Sequence, residues 1–144
     1  MKLAALTPFL VSLFFTPSAR GENLRVSFDD LYDNPNGDLS TVACSDGPNG
    51  MLTKGFTTFE SLRKAKLHYV GATSAVEGWN SQKCGSCWEL SYDAGKQGIQ
   101  SVVVIAVDHT KDGFNIGRDA LDKLTNGAAS DLGHAVVDAK EVDC

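Results

Sequence analysis

The stretch Cys84-Gly-Ser-Cys-Trp-Glu-Leu-Ser-Tyr92 decides how the chain must fold, because it contains two of the four cysteines. The other two, Cys44 and Cys144, lie far from it on either side. If the run from Cys87 to Tyr92 is a strand, successive side chains point to opposite faces. Cys84 and Cys87 are an odd number of positions apart, so they tend to face opposite ways and to need different partners. The spacing favours two long-range disulfides over one local bridge.

The N-terminus has the pattern of a secretory signal peptide. Met1-Lys2 gives a short basic start, Leu3 to Phe15 an apolar run, and the next six residues are mostly small. The apolar run is too short for a membrane span. We therefore predict a signal peptide over residues 1–21, cleaved after Ala19 or after Gly21. Residues 22–144 are predicted to form one domain that is secreted and is extracellular or associated with the cell wall.

The charge of the exported chain limits its partners. Removing Lys2 alone changes the formal charge from −5 to −6, and removing Arg20 as well changes it to −7. An acidic surface argues against nucleic acid or an anionic membrane as a partner. A neutral or cationic partner such as a polysaccharide is easier to accommodate.

Short strands separated by glycine-rich turns dominate the remaining chain. A capping box at Thr57 and Glu60 predicts a helix through Ala65, and helical spacing from Ile116 to Leu124 predicts a second. The run from Ile99 to Val107 is nearly all apolar and suits a strand covered on both faces. The predicted strands are Leu24–Phe28, Leu39–Cys44, Leu67–Val70, Cys87–Tyr92, Ile99–Val107 and Ala135–Val142. This pattern indicates a β-rich single domain, either a sandwich or a barrel.

The spacing of Cys84 and Cys87 also occurs in dithiol redox sites and in metal sites. A redox motif should open a helix, whereas a strand is predicted to follow this one. The three histidines, His68, His109 and His134, do not have ligand spacing. Because an even number of cysteines in an exported chain implies disulfides, we predict structural bridges, with no metal and no cofactor.

Asp108 is the carboxylate that stands out, because it sits where the most apolar strand is predicted to end in a polar loop. Desolvation there could raise its pKa towards use as a general acid, but a loop carboxylate that accepts main-chain N–H bonds is the preferred interpretation. Glycoside hydrolysis would need a second carboxylate. Spacing selects none of the loop aspartates, which are Asp29, Asp30, Asp33, Asp46 and Asp112.

Other polar and aromatic residues also have two interpretations. Asn115 precedes the second predicted helix, so an N-cap is preferred to a contact with a sugar hydroxyl. Trp79, Trp88, Tyr32 and Tyr92 could stack on sugar rings, since aromatic rings match the apolar faces of pyranoses. Trp88 is expected in the core, and Tyr32, in a polar loop, is the preferred surface candidate.

Several stretches in order along the chain resemble the cerato-platanin family of small secreted fungal proteins. The resemblance implies a six-stranded double-psi β-barrel with short helices, similar to the barrel domain of expansins, barwin-like proteins and family 45 endoglucanases. It also implies the disulfides Cys44–Cys84 and Cys87–Cys144. The matching stretches are Val26-Ser-Phe-Asp29 with Tyr32, Cys44-Ser-Asp-Gly47, Gly78-Trp-Asn-Ser81, Cys84-Gly-Ser-Cys-Trp88, Val107-Asp108, Gly113-Phe-Asn-Ile116 and the terminal Cys144.

The resemblance further implies a non-enzymatic function with no catalytic residue. Family members bind chitin or N-acetylglucosamine oligomers in a shallow groove, loosen wall material without clear hydrolysis, and elicit plant defences. Other wall polysaccharides and a plant receptor are further candidate partners. The residues of this chain that the resemblance assigns to ligand binding are Tyr32, Ser45, Asp46, Gly47, Asp108, Gly113 and Asn115.

Two other functions remain as alternatives to sugar binding. One is a weak glycoside hydrolase with Asp108 as acid and a loop aspartate such as Asp46 as base. The other is a protein that acts through a receptor or by self-assembly and has a vestigial groove. The chain also departs from the family, with Phe28 where Tyr is common and Asn80 where Asp is usual.

Overall fold

The structure, a computed structural model, describes residues 21–144. The signal peptide predicted for residues 1–21 therefore lies outside the described residues, apart from Gly21. Within the described range, no helix has both the length and the apolar character needed to cross a membrane.

Six strands close into a barrel in the order β1-β5-β2-β4-β3-β6. The pairs β1–β5 and β2–β4 are parallel, and the other four pairs are antiparallel. The strands are β1 (Glu22–Phe28), β2 (Tyr69–Thr73), β3 (Cys87–Asp93), β4 (Ile99–His109), β5 (Phe114–Ile116) and β6 (His134–Val142). The predicted six-stranded double-psi β-barrel with short helices and two disulfides is confirmed.

Between residues 21 and 144, three short α-helices lie outside the strands. They are α1 (Phe59–Lys66), α2 (Arg118–Thr125) and α3 (Ala129–Leu132), and 3-10 turns occur at Asp30–Asp33, Leu39–Thr41 and Gly95–Gln97. The capping box of α1 uses Thr58 and Ser61 rather than the predicted Thr57 and Glu60. The prediction was one residue out because the Ser61 hydroxyl accepts the N–H of Thr58, at 3.1 Å, as a glutamate carboxylate would.

The strand predicted at Leu39–Cys44 is wrong. Its first residues form a 3-10 turn in which the Asp38 carboxylate accepts the N–H of Ser40 at 2.8 Å. Leu39, Val42 and Cys44 are buried, but they pack against the outside of the barrel. A loop that covers a sheet needs apolar residues just as a strand does, so the two give similar sequence patterns.

Two apolar clusters lie on opposite faces of the sheet, and β4 contributes to both. Val102 and Val104 pack in the cluster that includes α2. Ile105 and Val107 pack in the other, beneath the covering segment of residues 39–62. The prediction that this strand is covered on both faces is therefore confirmed.

The two disulfides join Cys44 to Cys84 and Cys87 to Cys144, with Cα–Cα distances of 5.4 and 5.3 Å. This is the pairing that the family resemblance implied. The first bridge fastens the covering segment to the loop before β3, and the second fastens the C-terminus to the start of β3. The bridges thus fix the loops at one end of the barrel.

Candidate functional site

Asp108 lies inside β4, which continues to His109, and not in a loop as predicted. Its partly buried carboxylate accepts three hydrogen bonds. Oδ1 accepts the N–H of Ala43 at 2.9 Å and that of His109 at 2.8 Å, while Oδ2 accepts the hydroxyl of Tyr32 at 3.2 Å. The N–H of Cys44 continues the contact by donating to the carbonyl of Val107 at 3.0 Å. Asp108 therefore fastens the covering segment to the barrel.

Tyr32 is a buried residue, so the prediction that it offers a surface ring is wrong. It is 5% exposed, and its ring centroid lies 5.9 Å from that of Phe59. Burial raises the pKa of the Tyr32 hydroxyl, and the charge of Asp108 and the hydrogen bond to it raise that pKa further. The ring fills the outer apolar cluster while the hydroxyl holds Asp108, so Tyr32 positions a site residue from within the core.

Asn115 and Asp108 face the same side of the sheet. Both are register partners of Ala72, one across β5 and the other across β4, and Asn115 is also paired with Ser27. Directly opposed residues on neighbouring strands point the same way, so the two side chains lie about 10 Å apart on either side of Ala72. The Oδ1 of Asn115 accepts the hydroxyl of Ser27 at 3.2 Å.

The N-cap role predicted for Asn115 is wrong, because Asn115 lies within β5 and Gly117 occupies the cap of α2. Ile116, which was assigned to the helix, also belongs to β5. The sequence places a polar residue next to the helix in either case. Only the strand pairing shows that this residue faces Asp108.

Trp79 is the exposed aromatic residue beside the predicted Ser45–Gly47 turn. Its indole is 64% exposed, and its Nε1 donates to the carboxylate of Asp46 at 2.6 Å. Gly47 has φ of 78°, and a Cβ there would lie 3.0 Å from the indole. The main-chain carbonyl of Gly47 also accepts the hydroxyl of Thr53 at 2.7 Å. A glycine backbone and a carboxylate thus hold a large ring at the surface in one orientation.

Asn80 explains how the chain tolerates its departure from the usual Asp. It has a left-handed backbone, with φ of 58°, which Asn and Asp adopt more readily than most residues. Its side-chain oxygen accepts the N–H of Asn49 at 3.0 Å, and its carbonyl accepts the side-chain amide of Asn49 at 3.0 Å. An Asp would supply the same acceptor, so the loop that carries Trp79 stays fastened with either residue.

The other two predicted ligand residues have packing roles. Gly113 has φ of 54°, a Cβ there would collide with the carbonyl oxygen of Arg25, and its own carbonyl accepts the N–H of Ser74 at 2.9 Å. The carbonyl of Ser45 accepts the N–H of Leu52 at 2.9 Å and closes the turn that contains Asp46. These two residues therefore shape the surface through main-chain contacts rather than through their side chains.

The Trp79–Asp46 pair and the Asp108–Asn115 row lie at one end of the barrel. Asp46 is three residues from Ala43, so the Cα atoms of Asp46 and Ala43 lie within about 11 Å of each other. The N–H of Ala43 in turn donates to the carboxylate of Asp108. On the other side, the His109 ring hydrogen-bonds the carbonyl of Val76 at 2.6 Å, three residues before Trp79. We call this surface, made by Asp46, Trp79, Asp108 and Asn115, the tryptophan face.

The tryptophan face is open to solvent at Trp79, which is largely exposed. Cavities of about 450 and 360 Å³ lie elsewhere in residues 21–144, and neither is lined by any of the seven predicted ligand residues. Trp79 was one of four aromatic candidates in the sequence. Its position in the turn-rich Gly78-Trp-Asn-Ser81 loop was the signal that could have favoured it over Tyr32.

Comparison with known proteins places this geometry in a family. The family model described as cerato-platanin matches residues 24–144. The heat-stable 19 kDa antigen of Coccidioides posadasii is 39% identical over 147 residues, which covers 99% of this chain and 94% of that protein. The crystal structure of cerato-platanin 3 from M. perniciosa is 44% identical, with a TM-score of 0.78, over 85% of this chain and 95% of that one. The solution structure of the fungal elicitor cerato-platanin is 28% identical, with a TM-score of 0.67, over 83% of this chain and 92% of that one.

Proposed function

The chain belongs to the cerato-platanin family, and from this premise we propose that it is a secreted protein that binds chitin-type N-acetylglucosamine oligomers on the tryptophan face. The observation that carries the proposal is the indole of Trp79, which is 64% exposed and whose Nε1 donates to Asp46. The bond to Asp46 and the close approach of the Gly47 backbone hold this ring in one orientation, which leaves its face available for stacking against a sugar ring.

The chemistry of the tryptophan face suits a neutral sugar chain. The apolar face of a pyranose stacks on an indole, and the polar edge of the sugar then meets side chains next to the ring. Asp46, Asp108 and Asn115 offer carboxylate and amide groups for sugar hydroxyls and N-acetyl groups. Because the indole is already held, binding loses little additional side-chain entropy. The open surface allows a polymer to pass through without an enclosed end.

A binding assay on insoluble chitin tests the proposal. We expect the wild-type protein to sediment with chitin and Trp79→Ala to lose about tenfold in affinity, since about 1.4 kcal/mol of stacking is removed. Ile99→Ala is the matched control, because Ile99 is 67% exposed and begins β4, which carries Asp108 near its other end. Equal binding by all three proteins would contradict the proposal.

The action on the sugar is proposed to be non-hydrolytic. A general acid must donate a proton to the leaving oxygen, whereas two main-chain N–H groups and the Tyr32 hydroxyl all donate to Asp108. Asp46, the loop aspartate given as an example of the base, already accepts a hydrogen bond from the indole of Trp79. An assay for new reducing ends on chitin and cellulose oligomers checks this. Release of reducing ends by the wild-type protein that is lost in Asp108→Ala would contradict the proposal.

Elicitation of plant defence is a second proposed consequence, supported by similarity to the fungal elicitor cerato-platanin. Wall loosening without hydrolysis would follow from the same contacts with sugar. A plant response that Trp79→Ala retains in full would assign elicitation to a receptor or to self-assembly, rather than to the tryptophan face.

A further inference from the structure

A second surface lies at the C-terminal end of α1, where a cavity of about 450 Å³ opens between this helix and the start of β2. Arg63, Lys64 and His68 line it with nitrogen groups. Apolar groups come from Pro35, Leu67 and Tyr69, and Glu60 is its one acidic residue. The volume falls in the range of small-molecule sites. None of its residues belongs to the tryptophan face.

This part of an acidic protein is locally basic. Residues 21–144 contain all 18 acidic residues and 11 of the 13 lysines and arginines, since Lys2 and Arg20 precede them. No Asp or Glu occurs from residue 61 to residue 76, a stretch that includes Arg63, Lys64, Lys66 and His68. The local charge is therefore opposite to that of the protein as a whole.

Stabilisation of the helix accounts for part of this charge. Cations in the last turn interact favourably with the negative end of a helix dipole, and Lys64 pairs with Glu60 at 2.8 Å. Arg63 is different, because no carboxylate of the described residues lies within 4.0 Å of it, although its charge is near enough to Asp33 to lower the pKa of that carboxyl. Its guanidinium is instead 5.5 Å from the ring centroid of Tyr69, which holds the charge at the wall of the cavity.

Leu67 is the residue that helix stability does not explain. It caps α1 with a left-handed backbone, φ 58° and ψ 32°, and is 87% exposed. Gly normally occupies this position because it has no Cβ, and Asn because its short polar side chain can hydrogen-bond to the local backbone. The exposed leucine side chain gains almost nothing from burial. A residue that costs stability and contributes no packing, at the mouth of a cavity, indicates a functional contact.

From these features we propose that the cavity binds a small amphipathic organic anion, a single carboxylate or sulfonate on an apolar body. The anionic group meets Arg63 and Lys64, and the apolar body lies against Leu67 and Pro35. The cations provide charge complementarity. Because the exposed leucine offers an apolar contact, a ligand with an apolar body fits the cavity better than a purely polar one such as an oligouronate. This site is independent of the proposed sugar binding, since the two surfaces share no residue.

An NMR titration of the secreted, oxidised protein with 1-naphthoate tests the proposal. We expect saturable shifts at residues 35 and 60–69. Naphthalene-1-carboxamide has the same apolar body without the charge and should bind more weakly, while acetate has the charge without the body and should not saturate. Arg63→Gln and Lys64→Gln should each raise the Kd about three- to fivefold, whereas the exposed control Lys96→Gln should leave it unchanged.

Leu67→Asn separates a binding role from a structural one. It should raise the stability of the fold, because Asn suits the left-handed backbone, and should weaken naphthoate binding, because the apolar contact is lost. Equal affinity for naphthoate and the carboxamide would overturn the assignment. So would unchanged binding by both Arg63→Gln and Lys64→Gln, or naphthoate shifts spread evenly over the protein. Loss of sugar binding in Trp79→Ala does not bear on this site.

Discussion

Asp108 is predicted to stabilise the fold as well as to contact a ligand. Asp108→Ala removes the acceptor for the N–H groups of Ala43 and His109 and for the hydroxyl of Tyr32. Hydrogen bonds to a charged group contribute about 1.5 to 3 kcal/mol each, and the three are not additive because they share one carboxylate. Tyr32 is 5% exposed, so its hydroxyl would be left buried without this partner. We expect a total loss of about 3 kcal/mol in the free energy of unfolding.

Asp108→Asn is the matched comparison, since its amide oxygen can still accept the N–H groups of Ala43 and His109. It loses the charge, and the atom facing Tyr32 becomes an NH2 donor, so the Tyr32 hydroxyl would have to accept rather than donate. Its cost should be about 1 kcal/mol. Urea unfolding followed by tryptophan fluorescence measures both variants, and at a stability typical of small domains both stay folded at 25 °C. A loss below 0.5 kcal/mol for Asp108→Ala, with the covering segment still in place, would show that this carboxylate does not fasten the covering segment to the barrel. If the loss is as expected, weakened sugar binding by Asp108→Ala does not by itself prove contact between Asp108 and the sugar.

Three further predictions concern other parts of the fold. Burial raises the pKa of Asp33 above its usual 3.8, more than its bond to the N–H of Asp119 lowers it, so the folded state holds this proton more tightly than the unfolded state. The contribution of Asp33 to the free energy of unfolding should therefore fall as the pH rises above 3.8, so Asp33→Asn should gain in stability relative to the wild type over that window in urea unfolding; a constant difference between the two proteins would contradict this. Replacing Cys87 and Cys144 with serine opens a loop of 57 residues and should lower the free energy of unfolding by about 4 kcal/mol. An unchanged free energy of unfolding in guanidinium titrations would contradict this prediction. Leu67→Asn should stabilise by about 0.5 to 1 kcal/mol in thermal unfolding, because the Asn amide can hydrogen-bond locally in the left-handed region. Leu67→Ala has no such amide and should give no gain; an equal gain in both variants would show that the left-handed backbone is not the cause.

The features that sequence could predict are those set by local pattern. The runs from Cys87 to Tyr92 and from Ile99 to Val107 were both predicted to be strands, and both are strands. The family motifs then gave the closed barrel and the disulfide pairing. These signals depend on residues that lie next to one another in the chain.

The errors arose where tertiary contacts determine the structure and burial of a residue. The segment Leu39–Cys44 is apolar because it covers the outer face of the sheet, and nothing local distinguishes that from a strand. Tyr32 lies among polar residues, yet Phe59 buries its ring. Asn115 was assigned to a helix cap because its partner Ala72 lies 43 positions away and only strand register brings them together. The site is therefore visible only once the barrel is closed.

An NMR titration with N-acetylglucosamine oligomers shows whether the tryptophan face binds amino-sugar chains. We expect saturable shifts clustered at residues 46–47, 79–80, 108 and 115. Trp79→Ala should stay folded with nearly unchanged stability, because the Trp79 ring is largely exposed, while its shifts should no longer saturate. Absence of shifts in the folded wild-type protein, or equally tight binding by Trp79→Ala, would contradict sugar binding on this face.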